Sequence, residues 1–263
     1  MFVRLHKMQS EFADPIRYVL KHDEGQIALN DFIGKQIEFV FTGQISCVNC
    51  NKVINKTFGE GFCFSCFSTA AAASPCILHP ELCQAHLGLG RDPAYEEAHH
   101  NQPHVVYLAQ TNQIKVGITR NTQMPTRWID QGAAAAIVLA QVPNRYLSGV
   151  LEVALKTAFS DKTNWQLMLK NAPYDGPELL DIKWELEETL PSDLTQFWTD
   201  EQHTWHFNYP VLEYPKKVNS ISLDTSPHVK GTLSGIRGQY LYIDNSSVIN
   251  IRRHTGYQIK WES

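Results

Sequence analysis

The sequence predicts an α+β protein, in which a small three-stranded antiparallel sheet with flanking helices is joined to β-rich parts on either side. The stretch from His104 to Asn164 has three short strand-like runs and then residues at helical spacing. Two Cys-x2-Cys pairs precede it, and strand-like alternation recurs near both ends of the chain. We expect four parts: a β-rich segment at 1–46, a cysteine- and histidine-rich region at 47–103, a central α/β domain with covering helices at 104–207, and a small barrel-like β domain at 208–263.

The composition is that of an ordinary globular protein, with 43% hydrophobic and 19% charged residues in 263. No apolar run approaches the roughly eighteen residues of a membrane span, and the first eight residues lack the apolar core of a signal peptide. We therefore expect a cytoplasmic protein with no membrane partner. A net charge of −4 argues against a generic nucleic-acid coat, but a local basic groove remains open. Its candidate residues are Lys115, Arg120, Arg127 and Arg145.

The N-terminal part is expected to be mostly β, with strand alternation between Ile33 and Ile45 and a short helix around Asp14–Leu20. Because chain termini often lie close together, this part is expected to complete the C-terminal barrel or sheet. The glycine-rich stretch around Arg237 reads either as tight turns or as a nucleic-acid contact loop.

The first two cysteine pairs predict a zinc ribbon. Twelve residues separate the pairs, and each pair can direct two thiolates at one point, so that four complete a tetrahedron. Nothing in the sequence indicates secretion, which argues against disulfides. Four thiolates leave no open position on zinc, so the site is predicted to be structural. Its ligands are Cys47, Cys50, Cys63 and Cys66.

A second group of candidate metal ligands follows the ribbon. Cys76 and Cys83 could bind a second zinc ion together with one or two histidines, of which His100 is our choice. The alternative is a site without metal, in which packed free thiols lie beside solvated histidines.

The central stretch has the element order strand, strand, helix, strand, helix. The runs at 104–109 and 114–119 flank a polar turn and predict a β-hairpin. A short helix is predicted at 126–131, a third strand at 137–140 and a longer helix at about 145–159. Asp161 is a candidate N-cap for a further helix. An acidic amphipathic helix at 177–190 is expected to cover the sheet.

This pattern resembles the GIY-YIG nuclease superfamily, in the branch whose second motif reads Lys-(Ile/Val)-Gly-x-Thr. Val105–Tyr107 matches the first motif and Lys115–Gly117 the second, although many active members have tyrosine where this chain has Lys115. The resemblance implies that Glu152 binds Mg²⁺ or Mn²⁺. It also implies a set of catalytic residues, which are Tyr107, Lys115, Arg127 and Glu152. In the same superfamily a polar residue closes the nuclease site, and Asn164 could match it, although it could instead serve in capping and packing.

The whole chain also resembles an uncharacterised bacterial family, a domain of unknown function, which shares the Lys-Val-Gly-Ile-Thr-Arg run and upstream cysteine pairs. That family has a second cysteine cluster, and Ala73 and Gly90 stand where cysteines are expected. This resemblance implies an architecture and no activity.

Phosphodiester hydrolysis needs an activated water and stabilisation of the charge that develops on the phosphate, and these residue types can supply both. Each residue also has a structural alternative. Tyr107 reads equally as a half-buried strand aromatic and Lys115 as a solvated lysine. Arg127 could pair with Asp130 or Glu152, and Glu152 could be a helix surface carboxylate.

Three functions therefore stay open. The first is a metal-dependent nuclease acting on DNA or RNA. The second is a non-catalytic protein that binds a nucleic acid or a ribonucleoprotein such as the ribosome. The third is a scaffold whose partner is another protein.

Overall fold

The computed structural model describes residues 1–22, 25–156 and 164–262, which form two compact units. Unit 1 comprises Met1–Ser68, Ile129–Gly132 and Phe207–Ser263, and unit 2 comprises Thr69–Trp128 and Ala133–His206. The architecture is mixed α+β with several sheets, as the sequence predicts. The division into four parts stays a prediction.

Fifteen strands are formed by the described residues. They are β1 (Phe2–Arg4), β2 (Gln9–Glu11), β3 (Arg17–His22), β4 (Gly25–Ala28), β5 (Gln36–Ser46), β6 (Val53–Ile54), β7 (His104–Gln110), β8 (Ile114–Arg120), β9 (Ala135–Val142), β10 (Thr204–His206), β11 (Asn219–Ile221), β12 (His228–Arg237), β13 (Tyr240–Ile243), β14 (Ser247–Asn250) and β15 (Tyr257–Glu262). The α-helices of the same residues are α1 (Phe64–Thr69), α2 (Pro93–His99), α3 (Thr126–Asp130), α4 (Arg145–Lys156), α5 (Trp165–Leu169) and α6 (Leu179–Thr189). None of these helices is long and apolar enough to cross a lipid bilayer.

Unit 1 contains a sheet to which both ends of the chain contribute. Its order is β1-β15-β5-β12-β13-β14-β11, with β6 paired to β5. Val3 pairs with Ile259 across β1 and β15, and β5 lies between β15 and β12. The prediction that the N-terminal segment completes the C-terminal sheet is therefore confirmed.

The short helix predicted around Asp14–Leu20 is wrong, because this stretch leads into strand β3. Tyr18 and Leu20 are buried while Arg17 and Lys21 are exposed, which is the two-residue period of a strand. Pairing with β2 on one side and β4 on the other satisfies the strand backbone. The alternation of polar with aromatic and aliphatic residues was the better guide to this segment.

Arg237 is a core residue of unit 1 and does not form a surface loop. Its side chain is 1% exposed, and its Nε donates to the Gly132 carbonyl at 3.0 Å. The guanidinium also lies over the ring of Tyr209, 5.1 Å from the ring centroid. The alternative in which this stretch contacts a nucleic acid through Arg237 is thus not supported, and the structural interpretation holds.

Unit 2 is built on a four-stranded antiparallel sheet of order β10-β9-β7-β8. The predicted number of three strands is wrong, because the distant segment β10 pairs with β9 and adds a fourth. One face carries Val106 and Leu108, which pack in a single apolar cluster with residues of α4 and α6. The predicted covering helix thus packs on the sheet as α6. The opposite face carries Tyr107, because successive strand residues point to opposite sides.

Helix α5 of unit 2 begins at a residue whose side chain caps it. Asn164 caps α5, since its side chain accepts hydrogen bonds from the backbone N–H groups of Gln166 and Leu167. Asp161, the predicted cap, lies outside the described residues, as do the last three positions of the predicted 145–159 helix.

Candidate functional site

The four cysteines of the predicted ribbon come together in unit 1. Cys47 and Cys50 follow β5, and Cys63 and Cys66 lie at the start of α1. Their sulfur atoms all lie within 4.8 Å of one another, and those of Cys50 and Cys63 are 3.9 Å apart. Such a cluster could hold a structural metal such as zinc and is compatible with a zinc ribbon.

Backbone N–H groups around this cluster stabilise the thiolate form of Cys47. The N–H of Cys63 donates to the Cys47 sulfur at 3.2 Å and that of Asn49 at 3.5 Å. Burial raises the pKa of Cys47, but these hydrogen bonds and others from Cys50 outweigh it and lower the pKa to about 6. Because the thiolate is the form that binds metal, the local backbone is arranged for a metal ligand.

Gly61 allows the chain to return to the second cysteine pair. Its φ is +95°, and a Cβ there would lie 2.8 Å from Val48 and 2.9 Å from Thr255. Only glycine combines that backbone conformation with so close an approach.

A second ligand cluster lies in unit 2, where Cys76, Cys83, Glu96 and His100 each bring one ligand atom within 4.8 Å of the others. All four residues are buried. The Cys76 sulfur lies 3.7 Å from Nδ1 of His100, which also contacts the Glu96 carboxylate. The Ser74 hydroxyl lies 3.1 Å from the Cys76 sulfur. A hydrogen bond between the two thiols lowers the pKa of Cys76 and raises that of Cys83.

Helix α2 supplies two of the four residues of this cluster. The Asp92 side chain accepts from the N–H groups of Ala94 and Tyr95, and Pro93 occupies the first turn, so the helix start is well defined. Glu96 lies within α2 and His100 at its C-cap, four residues apart and therefore on one helix face.

Sequence reasoning placed Cys76, Cys83 and His100 together but missed Glu96. The signal was present, because the Asp-Pro start fixes the helix and Glu96 then precedes His100 by one turn. The other histidines have different partners: His86 stacks on Tyr146, and His99 receives a hydrogen bond from Arg120.

Arg145 connects α4 to the segment that carries Cys76. Its Nε donates to the Cys76 carbonyl at 3.0 Å and its Nη2 to the Ile77 carbonyl at 3.1 Å, while its backbone N–H donates to the His100 carbonyl. Burial lowers the pKa of Arg145, as does the charge of Arg127. Arg145, which the sequence suggested for a basic groove, is therefore engaged in holding this loop.

The four predicted catalytic residues divide between the two faces of the unit 2 sheet. Tyr107 pairs with Gly117, and Ala109 pairs with Lys115, so Tyr107 and Lys115 share a face. Tyr107 is completely buried, and a Cβ on Gly117 would lie 2.8 Å from its hydroxyl oxygen. Its ring meets Trp128 edge-on, with centroids 5.6 Å apart.

The other two predicted catalytic residues lie on helices. Arg127 is half-buried on α3, next to the Trp128 that packs on Tyr107. Glu152 lies on α4, whose apolar residues pack on the opposite face of the sheet from Tyr107. Glu152 is 8% exposed, and its carboxylate lies 3.5 Å from Nζ of Lys156.

The comparison with protein families gives one result. Residues 34–259 match the family described as "Protein of unknown function (DUF2797)". The chain belongs to the DUF2797 family. The match includes both ligand clusters and the whole unit 2 sheet, so the expectation of a domain-of-unknown-function family is confirmed. Neither the search of curated proteins nor that of solved structures finds a match.

Proposed function

We propose that unit 2 binds the sugar–phosphate backbone of a nucleic acid through a module related to the GIY-YIG nucleases, without cleaving it. The arrangement of the sheet supports the relationship. The strand with the first motif, β7, is central, β8 and β9 flank it, and a helix follows each flanking strand in the chain. The DNA or RNA is either free or part of a ribonucleoprotein.

The complete burial of Tyr107 is the observation that carries the proposal of binding without cleavage. A tyrosine that relays a proton to a phosphodiester must have its hydroxyl within hydrogen-bond reach of the substrate. Here Gly117 and Trp128 surround the ring, and none of the side chain is exposed. Packing therefore accounts for Tyr107, whereas a catalytic role would require this part of the sheet to open.

Lys115 and Arg127 are the proposed phosphate contacts. Both are half-buried, so each presents part of its side chain to solvent. Lys115 shares the sheet face of Tyr107, and Arg127 is adjacent to the Trp128 that packs on this face. An ammonium and a guanidinium suit phosphate oxygens, and the guanidinium can bind two of them at once.

The test measures binding of labelled single- and double-stranded RNA and DNA by fluorescence anisotropy. The protein with Lys115→Ala and Arg127→Ala together is expected to bind much more weakly than the wild type, by roughly tenfold or more at low salt. The control combines Lys216→Ala with Lys217→Ala, which removes the same charge at two exposed positions of unit 1. Equal weakening by both pairs would mean that only net charge matters and would contradict the proposed site.

A metal-dependent nuclease is the second candidate, and the environment of Glu152 favours it. The carboxylate is kept largely out of water, and it acts electrostatically on Arg145, as does Arg127. In this proposal Glu152 would hold Mg²⁺ or Mn²⁺, which would stabilise charge on the leaving oxygen. Cleavage in the presence of either ion that is abolished by Glu152→Gln but retained in Glu185→Gln, an exposed carboxylate of α6, would establish it and refute binding alone.

For the four-cysteine cluster of unit 1 we propose structural zinc. Four protein ligands fill a tetrahedral shell, so the ion would have no position for substrate. Its role would be to hold the turn between β5 and α1, a segment with little regular structure of its own. Removal of zinc by a chelator is expected to destabilise unit 1, as measured by thermal denaturation.

A further inference from the structure

We infer that Cys76, Cys83, Glu96 and His100 form a second metal site, of mixed ligands, that takes a zinc-class divalent ion and fastens the segment 75–83 to α2. This inference is independent of the proposed nucleic-acid binding. It extends the sequence prediction by one ligand, Glu96, and gives the site a structural purpose.

The donor set fits such an ion. Two thiolates, an imidazole and a carboxylate are all common zinc ligands, and four of them can complete a tetrahedron. The ligand atoms already lie within 4.8 Å of one another. Two thiolates and a carboxylate buried together would carry three negative charges, which is costly unless cations compensate them. The Arg145 guanidinium compensates part of this charge, and a divalent ion would compensate the rest.

Gly90 explains how Glu96 reaches the cluster. A Cβ at position 90 would lie 2.3 Å from Cγ, 2.6 Å from Cδ and 2.7 Å from Oε1 of Glu96. The Glu96 side chain thus occupies the space that any larger residue at position 90 would fill. The backbone of Gly90 has no positive φ in the left-handed range, so close approach, and not backbone conformation, is what requires glycine here.

The segment with the two cysteines packs on α4, but it has little regular structure and only a small apolar core of its own. It consists of short 3-10 turns at Pro75–Ile77 and Pro80–Leu82. Among the described residues, its small apolar cluster contains only the buried Cys76, Cys83 and Ala85, with the partly buried Tyr146 packed against them. Leu78 and Leu82 of the same segment are exposed. Short turns with so small a core typically depend on a cross-link or a metal for a fixed conformation.

Outer contacts and an entry route complete the site. The Ser74 hydroxyl lies against the Cys76 sulfur, and Arg145 fixes the Cys76 backbone, so both orient this ligand as hydrogen-bonding neighbours of metal ligands do. A cavity of about 240 Å³ is lined by Cys76, Gly90 and Glu96 among others, so an ion can reach the ligands from solvent.

The test counts zinc ions per chain by elemental analysis of the purified protein. Wild type is expected to hold two ions, and Glu96→Ala and His100→Ala are each expected to hold one, retained by the four cysteines of unit 1. The matched controls are Glu97→Ala, an exposed neighbour, and His99→Ala, whose partner is Arg120. Both controls are expected to keep two ions. One ion in wild type, or two ions in both ligand variants, would overturn the inference.

A second measurement uses the wild-type chain, because removal of a buried ligand can unfold the segment. Cadmium-loaded protein is expected to give two cadmium NMR resonances at different shifts, since one site has four thiolates and the other two. A single resonance would overturn the inference. So would the finding that Cys76 and Cys83 form a disulfide in the purified protein, because the two thiolates would then be lost as ligands.

Discussion

Gly149→Ala is expected to destabilise unit 2, although alanine is the better helix former. Gly149 lies in the middle of α4, where the turn at Pro80–Leu82 packs against it. A Cβ there would lie 2.2 Å from the backbone nitrogen of Glu81 and 2.4 Å from the carbonyl carbon of Pro80. These are backbone atoms, so no side-chain rotation can relieve the clash, and either the turn or the helix must move.

Two opposing contributions determine the size of this effect. Replacing glycine by alanine in a helix stabilises by about 1 kcal/mol, whereas overpacking a close contact costs about 1–3 kcal/mol. Contacts as short as these belong at the upper end of that range. The net loss is expected to be about 2 kcal/mol, which corresponds to a fall in Tm of roughly 4–8 °C for a chain of this size.

Thermal denaturation followed by circular dichroism measures this change, and hydrogen exchange of residues 75–83 localises it. The control is Val153→Ala, a half-exposed position of the same helix, which is expected to change the free energy of unfolding by no more than about 0.5 kcal/mol. If Gly149→Ala is as stable as wild type or more so, the close packing of this turn on α4 is wrong.

Three further substitution experiments test contacts described above. His104 is fully buried, and burial lowers its pKa from 6.5 to about 4, so between these pH values the unfolded chain binds a proton that the folded chain does not. As the pH falls from 6.5 to 4, wild type should therefore lose about 3 kcal/mol of unfolding free energy relative to His104→Asn, as measured by urea denaturation. Equal pH profiles for the two proteins would contradict this. Arg237→Lys should lower the free energy of unfolding of unit 1 by about 2–3 kcal/mol, because lysine cannot reproduce both the hydrogen bond to Gly132 and the contact with the Tyr209 ring. A folded variant that loses nucleic-acid affinity would contradict the structural role of Arg237. Gly90→Cys combined with Glu96→Ala should restore the second zinc ion that Glu96→Ala alone loses, because the new cysteine side chain enters the space left by the Glu96 carboxylate. If elemental analysis of the double variant still finds one zinc ion per chain, position 90 does not face the metal.

The sequence was sufficient for features set by local spacing. The Cys-x2-Cys pairs predicted the cluster of unit 1, because such pairs constrain their own geometry. The alternation in β7 and β8 predicted the hairpin, and the helical spacing after Arg145 predicted α4. In each case the pattern lies within a few residues and needs no knowledge of the tertiary structure.

Features that depend on distant segments could not be predicted in this way. The burial of Glu96 depends on the missing side chain of Gly90, six residues away along an irregular segment. The role of Arg145 depends on carbonyl groups near Cys76, about seventy residues earlier in the chain. Likewise, the sequence left Tyr107 open between catalysis and packing, and its burial between Gly117 and Trp128 in the folded sheet favours packing.

The salt dependence of nucleic-acid affinity tests the central claim most directly. Each phosphate contact contributes about 0.7 to the slope of log affinity against log salt for single strands and about 0.9 for duplex DNA. In the presence of Mg²⁺, wild type is predicted to bind its preferred nucleic acid without cutting it. The slope should fall by about 1.4–1.8 when Lys115→Ala and Arg127→Ala are combined. An unchanged slope, or cleavage that requires Glu152, would contradict the account.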